Sequence, residues 1–120
     1  MNKRREDNLQ IACVSWFRLQ YPNYIITSFP AGYVFEGDST KRAIIGKRMK
    51  DMGYCVGIPD VFIPVARKFY HGLYVEFKAE SNRLTQSQTI IIDKLMRENY
   101  YCAVCYSVES FMKTVNRYFE

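Results

Sequence analysis

Apolar and polar residues alternate through Leu73-Tyr74-Val75-Glu76-Phe77-Lys78-Ala79, the two-residue period of a β-strand. Leu73, Val75, Phe77 and Ala79 would face a core, and Tyr74, Glu76 and Lys78 the opposite side. A shorter apolar run, residues 61–65, precedes it across a polar loop, so the two predict a hairpin. Elsewhere the period lengthens to that of a helix. Between Glu6 and Gln20, Leu9, Cys13 and Trp16 form a stripe with Ala12 and Phe17 beside it, and Tyr21-Pro22-Asn23 ends the helix. Residues 24–29 read as a strand, Pro30-Ala31-Gly32 as a turn, and residues 33–35 as a short second strand.

Asp38-Ser39 can cap a helix reaching about Met52, with Ile45, Met49 and Met52 on one face and Gly46 weakening its middle. Thr85 and Gln88 fit a capping box for a third helix whose buried face is Ile91, Ile92, Leu95 and Met96. Residues 100–106 predict another strand. Ser107 then opens a last helix with Phe111, Val115 and Tyr118 spaced for burial. The order is α-β-β-α-β-β-α-β-α, and such elements bury their faces as an α/β domain, a mixed sheet flanked by helices.

The 120 residues suit one domain, 1–120, and 48% apolar content supplies a core. No stretch is long and apolar enough for a membrane span, and the basic N-terminus leads into an amphipathic segment rather than a signal peptide. These features predict a soluble, cytoplasmic protein. A net charge of +5 favours a polyanionic partner without establishing one. The four cysteines do not favour zinc. Cys102 and Cys105 would face opposite sides of a strand, Cys13 and Cys55 have no second ligand nearby, and the single histidine, His71, sits in a turn. Reduced, buried thiols fit better.

Glu76 and Lys78 raise the chemical question. On an exposed strand face they would be a surface pair worth about 0 to 1 kcal/mol. Gly57-Ile58-Pro59-Asp60 changes that reading, because it puts a second carboxylate at the mouth of the neighbouring strand, where a hairpin can bring Asp60 beside Glu76. Adjacent carboxylates repel unless a cation lies between them, and oxygen ligands suit Mg²⁺ or Mn²⁺. Lys78 would then act on an attacking water or on phosphate charge.

Pro59-Asp60, a hairpin and Glu76-x-Lys78 resemble the PD-(D/E)xK nuclease signature. "GKRMKDMGYCVGIPDVFI" (46–63), "LYVEFKAESNRLTQSQ" (73–88) and "SWFRLQYPN" (15–23) narrow the resemblance to the VRR-NUC family, the virus-type replication-repair nucleases, from about Glu6 to Ser107. That resemblance implies a restriction-endonuclease-like fold and a Mg²⁺-dependent DNA endonuclease, with Mn²⁺ able to substitute and no small-molecule cofactor. It implies Asp60, Glu76 and the Phe77 carbonyl as metal ligands, and Lys78 as the catalytic lysine. It also implies an acid from the first helix: Glu6 is the candidate, with Gln10 one turn along, while Asp7 competes and a first-turn acid favoured by the helix dipole is an equal reading of Glu6. Gln88 belongs near the active site by resemblance and to a capping box by sequence. Lys47, Arg48, Lys50 and Arg83 are candidate DNA contacts or solvated charges. Standalone members resemble phage or prophage proteins that act in bacterial or phage-infected cells as homodimers on branched DNA, including four-way junctions. The alternative from another class is a non-catalytic nucleic-acid-binding module using the basic and aromatic surface.

Overall fold

The alternating run folds as an interior strand of a four-stranded sheet in the computed structural model, which describes residues 2–29 and 38–120. The elements are α1 (Asn2–Gln20), β1 (Thr27–Ser28), α2 (Ser39–Asp51), β2 (Val61–Ile63), β3 (Leu73–Phe77), α3 (Gln86–Arg97), β4 (Tyr101–Cys105) and α4 (Val108–Phe119). The sheet order is β1-β2-β3-β4. β2 pairs antiparallel with β1 and β3, whereas β4 runs parallel to β3, so the sheet is mixed. The parallel step needs a crossover, which α3 provides. The turn and strand expected at residues 30–35 lie outside the described residues.

One face of the sheet carries the core. Val61, Ile63, Leu73, Val75, Phe77 and Cys105 meet Cys13 and Phe17 of α1 and Phe111, Val115 and Tyr118 of α4. Phe77 and Phe111 have ring centroids 5.6 Å apart, which fixes the α4 side of β3. Tyr74 points the other way, stacked on Phe62 with Tyr100 against its edge. Ser107 caps α4 in a capping box with Ser110, and Thr85 caps α3 in one with Gln88.

Several expectations need correction. The strand expected over 24–29 reduces to Thr27–Ser28, because Tyr24 closes a turn onto Tyr21 and lays its ring against Phe119. β2 ends at Ile63, since Pro64 has no N–H to continue the ladder. β3 ends at Phe77, and Glu80 turns the chain away with a φ of 47°. Ala12 is exposed while Cys13 and Phe17 carry the α1 contact. α2 buries no residue fully: Ile45 and Met49 are half-buried and Met52 is 79% exposed. Met49 and Met52 instead line a cavity of about 410 Å³ with Phe29, Tyr54, Cys55 and Ile58. On α3, Ile91, Ile92 and Leu95 are half-buried and Met96 is exposed. Among the described residues no helix is long and apolar enough to cross a membrane.

Candidate active site

Pairing Val61 with Val75 in antiparallel register places the preceding Asp60 opposite Glu76. The Asp60 Oδ2 accepts a hydrogen bond from the Phe77 N–H at 2.7 Å, so the carboxylate is held by the backbone of the strand that carries Glu76 and Lys78. Pro59, fully buried, anchors the loop just before it. Two residues earlier, Gly57 adopts a φ of +95°, and a Cβ there would lie 2.6 Å from the Ser87 carbonyl oxygen. Only glycine satisfies both demands, and the close approach seats the Asp60 loop on the first turn of α3. Gly57→Ala is therefore expected to cost about 1–3 kcal/mol from backbone strain alone. Urea unfolding checks this; wild-type stability in that variant would mean the loop is free to move.

Glu76 and Lys78 face away from the α4 side yet are almost entirely buried, 3% and 6% exposed. The alternative reading of Glu76 and Lys78 as an exposed surface pair is thus excluded. Glu76 Oε2 accepts from Gln88 Nε2 at 2.9 Å and lies 3.6 Å from Lys78 Nζ. Gln88 also closes the capping box expected at this position, its Oε1 accepting from the Thr85 N–H at 2.9 Å, so one side chain joins the start of α3 to Glu76. Glu76 Oε1 is buried with no hydrogen-bond partner among the described residues. An orphaned carboxylate oxygen is costly and calls for an occupant or a proton.

Electrostatics point the same way. Burial first, then the Asp60 carboxylate, pushes the Glu76 carboxyl up to about 8, with Lys78 opposing the rise. Burial also raises Asp60, while the Phe77 amide and Lys3 pull it down. Two crowded carboxylates that share a site hold a proton between them until a cation replaces it. Oxygen donors alone, one of them orphaned, fit a hard divalent ion. Among the described residues no group of three or more His, Cys, Asp or Glu gathers as a ready cage, so the acidic pair is the centre of the donor set.

Helix α1 starts at Asn2, four residues earlier than expected, so Glu6 is not in its first turn. That removes the simple dipole reading. Glu6 Oε2 accepts from the Ala79 N–H at 3.1 Å and from Asn82 Nδ2 at 2.8 Å, tying α1 to the strand just past Lys78. Asp7 is engaged elsewhere, 3.0 Å from Lys3. Gln10 lies in a groove between α1 and β1. Sequence reasoning missed Lys3, Tyr54 and Asn82. For Lys3, burial opposes the charge but Asp7, Asp60 and Glu6 outweigh it, so its ammonium is held above its ordinary value. Tyr54 is raised by burial first, then by Cys55, Asp60 and Glu76. The i, i+4 spacing of Lys3 and Asp7, which suits a helix, was the signal for Lys3; nothing local marked Tyr54 or Asn82. Lys47, Arg48 and Lys50 lie on α2, and Arg83 on the loop before α3, all reaching solvent. Lys47 pairs with Asp51 at 2.8 Å.

A family model of the VRR-NUC domain matches residues 4–109, most of the chain. The chain belongs to the VRR-NUC family. A solved structure described as a VRR_NUC domain protein is 25% identical, with a TM-score of 0.73 over 95% of this chain and 87% of that one. No curated protein matches. Membership makes this VRR-NUC chain a nuclease of the PD-(D/E)xK type, with DNA as its substrate, in a family that typically uses divalent metals.

Proposed function

We propose that this VRR-NUC protein is a Mg²⁺-dependent endonuclease that hydrolyses phosphodiesters in branched DNA, with Mn²⁺ substituting. The observation that carries the reading is the buried Asp60–Glu76 pair with its orphaned Glu76 oxygen. Asp60, Glu76 and the Phe77 carbonyl would hold the ion, and a bound ion supplies charge neutralisation at the phosphate and a lower pKa for water. Lys78 presents an ammonium beside Glu76, where it can orient the attacking water and offset negative charge on the phosphate oxygens. Gln88 fixes one Glu76 oxygen and leaves the other free to receive a ligand. Glu6 acts from one step away: by clamping Ala79 and Asn82 it holds the backbone that follows Lys78. The N-terminus of α3, beside the acids, adds a partial positive charge for phosphate.

A single such centre cuts one strand per encounter, and two copies about a two-fold axis would present two centres to a symmetric junction. The test is cleavage of labelled four-way junction, flap and linear duplex, with Mg²⁺ and with EDTA, alongside sedimentation. Metal-dependent cutting with junction preference and a dimer mass is expected. Binding without cutting in any metal would instead support a non-catalytic DNA-binding module.

Arg48 and Lys50 are proposed to bind backbone phosphates, with Lys47 able to leave its exposed Asp51 pair, worth about 0 to 1 kcal/mol, at little cost. Each change to alanine is expected to flatten the salt dependence of DNA affinity by about one unit per phosphate released. An unchanged slope in all three variants places α2 outside the interface.

A further inference from the structure

A second cluster of cations and aromatic rings sits at the end of the sheet remote from the acids. Tyr101 pairs with Leu73 at the start of β3, four residues before Phe77 and roughly 13 Å away along the strand. There a cavity of about 300 Å³ is lined by Lys68, Tyr70, Tyr101, Lys113, Arg117 and Tyr118, with Thr114 of α4 beside Lys113. Tyr118, whose hydroxyl donates to the Val65 carbonyl at 2.6 Å, forms a rigid floor, with Tyr70 and Tyr101 against it.

Three features gather at this end. Lys113 and Arg117 stand four apart on α4, so like charges share one helix face, a small cost that the helix C-terminus offsets for Arg117. Neither forms an ion pair with a described residue. Lys68 takes a left-handed backbone, φ 57°, in the tight turn closed by mutual Arg67 and Tyr70 hydrogen bonds, a conformation that favours glycine. Its ammonium donates to the Arg117 and Tyr118 carbonyls, joining the turn to the end of α4. Beside it at the tip of the turn Phe69 is 92% exposed, an aromatic ring held in water while Asn99 Nδ2 donates to its carbonyl. The strained turn enters the cavity lining through Lys68 and Tyr70 and carries the Phe69 ring just outside it, so unpaired cations and a presented ring adjoin, which suits a ligand with both an anionic and a flat aromatic part.

We propose that this end of the molecule binds an unpaired nucleotide of the DNA, its phosphate between Lys113 and Arg117 and its base stacked on Phe69. The proposal rests on the DNA reading above but not on the metal centre. Bases of an intact duplex are already stacked on their neighbours, so the site would discriminate DNA with unpaired nucleotides from plain duplex. Aromatic stacking tolerates any base, so little sequence preference is expected.

The experiment measures anisotropy of labelled oligothymidylate, flap DNA and blunt duplex with wild-type protein in EDTA, which prevents cutting. Phe69→Ala is expected to weaken oligothymidylate and flap binding about tenfold, and duplex binding far less; Phe69→Trp should restore it. Lys113→Ala with Arg117→Ala should lower the single-strand salt slope by about 0.7 for each phosphate no longer neutralised. All three side chains are exposed, so these variants should fold, and circular dichroism checks that they do. Equal weakening on duplex and single strand, or full affinity in Phe69→Ala, overturns the proposal while leaving the DNA reading in place. Wild-type protein that binds none of the three DNAs overturns both.

Discussion

Asp60→Asn and Glu76→Gln are each expected to reduce cleavage by at least about 10², with DNA affinity unchanged or raised. Losing a partner that merely orients a ligand costs metal sites about 10- to 100-fold, so losing the ligand itself should cost no less. Affinity is spared because a carboxylate beside the scissile phosphate repels it in the absence of metal. The buried setting adds a second signature. In the folded chain the Glu76 carboxyl sits at about 8, above its ordinary 4.5. The metal-free folded protein therefore holds a proton that the unfolded chain releases between those values. Its contribution to stability is complete below about 4.5 and is lost as the pH rises through about 8. Urea unfolding of wild-type protein in EDTA should show that decline, and Glu76→Gln, which removes the Glu76 titration and leaves only that of the buried Asp60, should show a smaller one. Saturating Mg²⁺ should flatten the wild-type curve as well, because the ion takes the proton's place. Near wild-type cleavage in either variant would remove the acidic pair from the chemistry.

Much of this arrangement was legible because it rests on short-range regularities. Alternation in β3 and the run beginning at Val61 set the hairpin, and its register puts Asp60 opposite Glu76. Capping chemistry at Thr85 and Ser107 located the starts of α3 and α4. The α4 stripe of Phe111, Val115 and Tyr118 marked residues that the structure buries. What stayed hidden depends on how distant segments meet. No local pattern says that a strand face bearing Glu76 and Lys78 will be covered, since the cover includes Gln88 from α3. Nor does the chain between Glu6 and Asn82 announce that a helix carboxylate will clamp a turn 76 residues away. The α2 stripe misled for the complementary reason: Ile45, Met49 and Met52 have helical spacing, but that helix has no fully buried residue. Periodicity says which side of a helix is apolar, while only the fold says how closely anything approaches it.

Lys78→Ala is expected to slow cleavage by about 10²–10³, the scale for removing one preorganised charge from a reacting oxygen. It should also move the pH–rate profile to higher pH. The direction follows from the site: Lys78 holds the Glu76 carboxyl below where burial and Asp60 would push it. Without the ammonium, Glu76 keeps its proton to higher pH, and a divalent ion must compete for that carboxylate longer. Metal affinity near neutral pH should consequently fall in this variant and recover at alkaline pH, although Lys78 touches no metal itself. Lys78→Met separates charge from packing, because it keeps a long apolar stem in a residue that is only 6% exposed. If alanine and methionine give the same alkaline displacement with native circular dichroism, the ammonium acts electrostatically. If alanine unfolds the chain and methionine restores both fold and rate, Lys78 fills space between β3 and its cover and has no part in hydrolysis.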